Sequence, residues 1–336
     1  MSDLESVVEV TRGAVLESRH RVHVAVVDAE GTLRGSSGDP DLVTFWRSAA
    51  KPLQALPVVD DGAFDRFGIT AAELAVICGS HSGTAAHVKI VEGLLEKLAL
   101  TGDALACGPH APFDAETRRE LEEQGLEPGR LHNNCSGKHA GMMAVARARG
   151  WDTDGYQRVE HPVQARLLTE IARWVQMPAE AIGLGVDGCG VVCYALPLRQ
   201  MAQAYASLAS AARAGERGPA TVVEAMAAHP EMVAGEGRIC TAISRVTEGR
   251  LFAKVGAEGV YCVGSPGAEL GIAIKVEDGS TRAVAPAIAG VLREMDLISE
   301  DDFGALHRHV FREISNTRGE VTGEVRPRIR LRAADA

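Results

Sequence analysis

Arg47-Ser48-Ala49-Ala50-Lys51 sets a hydroxyl and an amine three residues apart. At a helix start such a pair shares one face, a turn apart. A buried lysine has a lowered proton affinity and can take the serine proton. The helix N-terminus favours negative charge developing on that oxygen. The pair is then a nucleophile with its base. The same spacing also describes a helix cap beside an exposed lysine. Gly79-Ser80-His81-Ser82-Gly83 follows an apolar segment at 74–78 and precedes a helix. Small residues and two hydroxyls at such a junction suit a substrate or oxyanion loop, or a plain structural turn. A hydrolase nucleophile elbow is excluded because its central position is His81 and not serine.

Asn133-Asn134-Cys135-Ser136-Gly137-Lys138-His139-Ala140-Gly141-Met142 is dense in ligand-type residues just before an apolar helix. Cys135, Lys138 and His139 fall on adjoining faces of its first turn. Asp187-Gly188-Cys189-Gly190 places a second cysteine between glycines after a strand. Cys135 and Cys189 could share a metal with a third ligand from the 136–149 helix, and two thiolates suit zinc. Two ordinary buried cysteines fit the same spacing. Lys254-Val255-Gly256-Ala257-Glu258-Gly259 lies on a strand whose small residues would let a substrate lie against the backbone.

Of 35 basic residues six are lysine (Lys51, Lys89, Lys97, Lys138, Lys254 and Lys275) and 29 are arginine. In such a background a lysine is there for what arginine does not do, which is to lose a proton. Three of the six fall in the segments above.

The elements that must position these groups are readable from periodicity and caps. A hairpin is predicted over 22–34 and helices over 47–59, 84–98, 114–123, 136–149, 161–176 and 197–214. Thr70-Ala71-Ala72-Glu73 is a capping box that starts a short helix. Strands are predicted over 183–193, 254–263, 269–276 and 325–332, and a helix over 286–295. Strands cluster toward both ends and helices in the middle. The reading is an α+β fold in a single catalytic domain, with a sheet from both termini and a helical region over roughly 70–250.

The chain has 336 residues, 46% of them hydrophobic, and a net charge of −10. It is long enough for a sizeable core. The acidic balance argues against nucleic acid, and no apolar run reaches the roughly 20 residues of a membrane span. The acidic 1–9 stretch has no apolar h-region. The seven cysteines are odd in number and irregularly spaced, which argues against a disulfide framework and for a reducing cytoplasm.

In order along the chain, the segments resemble those of the Rhizobium-type (class 3) L-asparaginases of the asparaginase II family. They include Arg47-Ser48-x-x-Lys51-Pro52-x-Gln54, the 79–83 and 132–142 segments, His161-Pro162-x-Gln164, the 187–190 segment, Met232-Val233-Ala234-Gly235 and the 254–259 segment. They span about residues 8 to 332. The resemblance implies a fold similar to serine β-lactamases, penicillin-binding proteins and glutaminases: a central, mainly antiparallel sheet flanked by helices. It implies hydrolysis of L-asparagine to L-aspartate and ammonia, in a homodimer. It implies Ser48 with Lys51 as one pair and Ser80 with Lys254 as a second. Cys135, Lys138 and Cys189 match a zinc (Zn2+) site, Asp187 and His139 frame it, and Arg47, His81 and Cys240 are cleft neighbours. The rivals are another acyl-serine amidohydrolase such as a glutaminase, and a zinc-stabilised amino-acid-binding protein without turnover. Neutral lysines and thiolates predict activity that rises toward alkaline pH.

Overall fold

The computed structural model describes residues 5–333, so part of the acidic 1–9 stretch lies outside the described residues. The chain divides into two compact units. One comprises the chain up to Ala49, Leu196–Ser210 and the chain from Ala242 onward. The other comprises Ala50–Ala195 and Ala211–Thr241.

The first unit is built on an antiparallel sheet drawn from both ends of the chain. Its strands run in the order Arg312–Ser315, Val321–Arg328, Val7–Arg12, Val15–Asp28, Leu270–Val276, Val260–Ser265 and Phe252–Val255. Leu33–Ser37 also pairs with Val15–Asp28, in a register that sets Val24 opposite Ser37, and this is the hairpin expected at 22–34. The long strand Val15–Asp28 changes character along its length: its start is mostly exposed, whereas Val24 to Val27 are fully buried. Covering elements explain the continuous apolar run there, because a strand buried on both faces does not alternate. The helix Thr281–Glu294 packs on Val321–Arg328 and Leu270–Val276, and Ala283, Ala287, Ile288 and Val291 are among its buried residues.

Two expectations shift in this unit. The strand expected over 254–263 is a hairpin, because Glu258 and Gly259 take positive φ and reverse the chain. Lys254 lies opposite Cys262 in that hairpin. The helix expected from Pro286 begins at Thr281, with Pro286 in its second turn, where it forfeits one backbone hydrogen bond.

The second unit is mainly helical and begins at Ala50, earlier than the expected 70. Its central element is the helix Lys51–Asp60, nine of whose ten residues are buried. It packs on Ser136–Arg149, Pro162–Val175 and Arg217–Ala228. A helix apolar on all sides belongs in a core, and this one carries Lys51 into the interior. The capping box at Thr70 and Glu73 is formed, Asp114 and His161 cap the next helices, and Gly150 ends Ser136–Arg149 in the left-handed region at φ 71°. Gly183–Val186 and Val192–Pro197 form a hairpin whose turn carries Asp187 and Cys189. Among the described residues no helix is long and apolar enough to cross a membrane.

Candidate active site

Lys51 is the first residue of its helix and is 1% exposed. Its Nζ donates to the carbonyl of Gly79 at 2.5 Å and to Ser80 Oγ at 3.0 Å, and lies 3.3 Å from Cys135 Sγ. Burial pushes its amine below the ordinary lysine value, against the pull of the Cys135 sulfur. A lysine so placed can give up its proton and accept one from a hydroxyl.

The segment around Ser80 is fixed from several sides. Ser80 N–H donates to Val233 O at 2.8 Å, and Gly79 N–H donates to Val76 O at 3.0 Å. His81 is fully buried. Ser136 Oγ donates to Leu131 O at 3.0 Å, so it accepts from His81 Nε2 at 2.8 Å, and His81 Nδ1 accepts the Gly83 N–H at 3.2 Å. These partners define a neutral ring protonated on Nε2. Burial, then neighbouring His87 and Lys51, holds its pKa well below the usual histidine value. His81, expected as a cleft neighbour, is a pin between its own loop and the helix Ser136–Arg149, because both ring nitrogens are occupied by protein. Three of the five backbone N–H groups of the 79–83 segment are likewise engaged. This leaves those of His81 and Ser82 as its other donors toward an oxyanion.

The helix Ser136–Arg149 brings the second group of residues. It approaches the helix Ala71–Ile77 so closely that a Cβ on Gly137 would lie 2.4 Å from Val76 O. Only glycine permits that contact, which sets Cys135 and Lys138 beside the end of the Ser80-bearing segment. Lys138 Nζ donates to Cys189 Sγ at 3.0 Å and lies 4.0 Å from Asp187 Oδ2. The turn behind it is tight: Gly190 N–H donates to Asp187 O, and Gly188 N–H to Asp187 Oδ1. Cys135 and Cys189 are both buried thiols in no disulfide. The Cys189 thiol, against burial and with help from Lys51 and Lys138, holds Cys135 well below the ordinary thiol value, while the Cys135 sulfur and burial raise Cys189. Burial works against the charge on Lys138, but the sulfurs of Cys135 and Cys189 and the Asp187 carboxylate outweigh it and keep the amine charged. Cys135 Sγ donates to Asn134 Oδ1 at 3.0 Å.

His139 is fully buried beside Lys138. Tyr156 OH accepts the Ala106 N–H at 2.9 Å and donates to His139 Nδ1 at 2.6 Å. The ring proton therefore sits on Nε2, which has no hydrogen-bond partner among the described residues. Burial and the charges of Lys138 and Lys51 keep the ring neutral. Tyr156 carries no motif of its own and was not among the residues singled out by sequence. Its signal is spatial, from a loop to a helix.

Ser48, Arg47 and Lys254 belong to the other unit. Ser48 sits in the single 3-10 turn Arg47–Ala50, directly after Arg47, whose φ of 54° is a strained position for a non-glycine residue. Lys254 is fully buried and donates to Val255 O at 2.7 Å. Glu258, four residues on, also holds positive φ, and its carbonyl accepts from Lys275 Nζ at 2.5 Å. Lys275 is thus a fourth lysine put to work, as a clamp on the turn that follows Lys254. Cys240 is buried at the start of the helix Ile239–Val246.

Among the described residues no three His, Cys, Asp or Glu side chains converge on a metal position. The set expected from sequence is different in kind, two sulfurs and an amine nitrogen. Its three members are buried, and Lys138 contacts Cys189, so the donor chemistry fits a soft divalent ion such as zinc.

A family model described as L-asparaginase II matches residues 8–327. Among curated proteins no sequence matches the chain. Among solved structures the chain is similar to Mglu in its native form, at 14% identity and a TM-score of 0.46, covering 84% of this chain and 66% of that one. It thus spans just under two thirds of the Mglu chain. It is also similar to a beta-lactamase from Mycobacterium bovis, at 15% identity and a TM-score of 0.35, covering 81% and 94%. A third is the unliganded simvastatin synthase LovD from Aspergillus terreus, at 13% identity and a TM-score of 0.35, covering 86% and 92%.

Proposed function

The chain belongs to the L-asparaginase II family, and on that premise we propose that it is an amidohydrolase that converts L-asparagine to L-aspartate and ammonia. The observation that supports this best is the buried Lys51 amine on Ser80 Oγ at 3.0 Å, with its affinity for a proton reduced. A lysine held this way serves as a base to a serine hydroxyl.

Ser48 is the nucleophile in this reading. Its Oγ attacks the side-chain amide carbon as its proton passes to Lys51. The amide oxygen takes the negative charge and is met by donors of the 79–83 segment. The carbon–nitrogen bond then breaks, with the proton delivered to the nitrogen through the serine–lysine network, and ammonia leaves. Water attacks the aspartyl ester, its proton passes back through the same network, and Ser48 is regenerated. Ser80 and Lys254 form the second pair. The contact between Lys51 and Ser80 favors a second reading of the same chemistry, in which Ser80 attacks.

Cys135, Cys189 and Lys138 would hold zinc. When bound it would supply a fixed positive charge for the polar groups of an amino acid. Asp187 and His139 frame that group, and the Nε2–H of His139 is a donor for the substrate.

Ammonia release from L-asparagine and L-glutamine at about pH 8–9, around the ordinary thiol value, tests the proposal, with Ser48→Ala in parallel. Release from asparagine that the substitution abolishes supports both reaction and nucleophile. Faster release from glutamine would make the protein a glutaminase, since one methylene in such a pocket decides the preference. Binding of asparagine by folded protein without release would make it a binding protein.

A further inference from the structure

We propose that Arg238 anchors the α-carboxylate of the amino-acid substrate, an inference that rests on the asparagine reading above. Arg238 lies in none of the segments that carry the expected chemistry. It ends a short stretch, 233–238, that is sewn to the Ser80 segment. Ser80 N–H donates to Val233 O at 2.8 Å, and Ser82 Oγ donates to Ala234 O at 2.9 Å. Thr241 Oγ1 donates to Gly235 O at 2.7 Å. Arg238 Nη1 closes the circuit by donating to Ser80 O at 3.2 Å. Both peptide groups of Ser80 are therefore bound to this one stretch.

The guanidinium itself is half-buried, with its central carbon 5.1 Å from the centre of the Phe113 ring. An aromatic face holds the plane of an arginine and leaves its edges open to hydrogen bonding. The fork has five N–H donors. Among the described residues it bonds one carbonyl and forms no ion pair. The other cations of this unit near Ser80 are engaged: Lys51 with Gly79 O and Ser80 Oγ, and Lys138 with Cys189 and Asp187. Arg238 is thus the cation at Ser80 with donors to spare, and a planar fork is the group that takes a carboxylate in a bidentate grip.

The spacing suits asparagine. Ser80 presents its hydroxyl to Lys51 and its carbonyl to Arg238. In asparagine the amide carbon and the carboxylate carbon are three bonds of ~1.5 Å apart. A substrate whose amide meets the hydroxyl of Ser80 reaches toward the guanidinium with its carboxylate.

The test compares L-asparagine with its α-amide, which lacks the carboxylate charge, on wild type and Arg238→Gln. Side-chain hydrolysis is followed by chromatography of L-aspartate and of its α-amide. In wild type, KM for the α-amide should exceed that for asparagine by about 10- to 100-fold, the value of a charge-assisted grip. In Arg238→Gln the KM for asparagine should rise to match it, with kcat within a few fold. A variant that weakens both substrates equally, or lowers kcat alone, would show that Arg238 only braces Ser80, and would overturn the proposal. Should Arg238→Gln fail to fold, Arg238→Lys carries the same comparison, because it keeps the charge and loses the fork. If wild type does not turn over, calorimetric binding of asparagine and its α-amide reads the same difference. A difference in wild type that vanishes in the variant supports Arg238 while the hydrolytic reading fails. No difference, or no binding, overturns the inference.

Discussion

Lys51 Nζ donates to Ser80 Oγ across 3.0 Å, although Ser80 lies 29 residues further along the chain. The lysine three residues after Ser48 in the sequence is thus in hydrogen-bond contact with the second candidate serine. If Ser48 attacks, Ser48→Ala lowers kcat by about a thousandfold or more, as loss of a nucleophile does. Ser80→Ala then lowers it by about 10- to 100-fold, through a less well-ordered base. An acid quench during turnover with mass spectrometry of the peptides locates the aspartyl ester. An ester on Ser80, with Ser48→Ala the milder variant, would reverse the two roles.

The close approach at Gly137 makes a prediction about stability. A methyl group there meets the carbonyl of Val76, which is backbone and cannot swing aside. Gly137→Ala should destabilise the protein by about 1–3 kcal/mol, the usual penalty of overpacking. Urea unfolding of the two proteins measures it. Because the same helix carries Lys138, activity should fall with stability, even though alanine is the better helix former. An unchanged midpoint would mean that the two helices separate at little cost.

The sequence made the local signals legible. Thr70 with Glu73, Asp114, His161 and Gly150 announce helix ends, and each does so through groups within a few residues. The cysteine and lysine cluster was legible from its unusual density before a helix, and Lys138 of that helix contacts Cys189. What stayed hidden depends on distant partners. Arg238 takes its place from a carbonyl 158 residues away, and Tyr156, in a loop, from a ring on the helix Ser136–Arg149. The 254–263 segment read as one strand because its residues are apolar on both sides of the turn. The turn itself is made by positive φ at Glu258, which no local composition requires. His81 is expected in the cleft with the rest of the 79–83 segment, yet its bond to Ser136 turns it inward.

Zinc binding can be examined without reference to activity. If Cys135, Cys189 and Lys138 hold the ion, protein purified without chelator should carry about one zinc per chain, as a single site of this donor number does. Cys135→Ser and Cys189→Ser should each carry much less. Binding displaces protons from thiols and from the Lys138 ammonium, so affinity should rise with pH. Elemental analysis gives the stoichiometry, and competition with a colorimetric chelator at several pH values gives the trend. Equal zinc in wild type and both variants would place the metal elsewhere.

His81 and His87 stack 5.0 Å apart, and both are buried. Burial, then their mutual repulsion, lowers His81 far below the histidine norm, and burial also lowers His87. In the unfolded chain both titrate near ~6.5. As pH falls through that value the unfolded chain takes up protons and the folded one does not. Stability is therefore full above about pH 6.5 and declines below it, by up to ~1.4 kcal/mol per pH unit for each ring. The decline begins before carboxylates, with ordinary values near ~4, contribute. Urea midpoints for wild type and His87→Gln between about pH 7.5 and 5.5 separate the two rings. The variant keeps a side-chain amide that can bond both Thr84 and Glu231 O, the present partners of His87, and removes one titrating group. Its slope should be shallower than that of wild type by up to one ring's share, with His81 and the likewise neutral His139 keeping theirs. An identical slope would mean that the stack does not govern acid stability, and that other groups take up the protons.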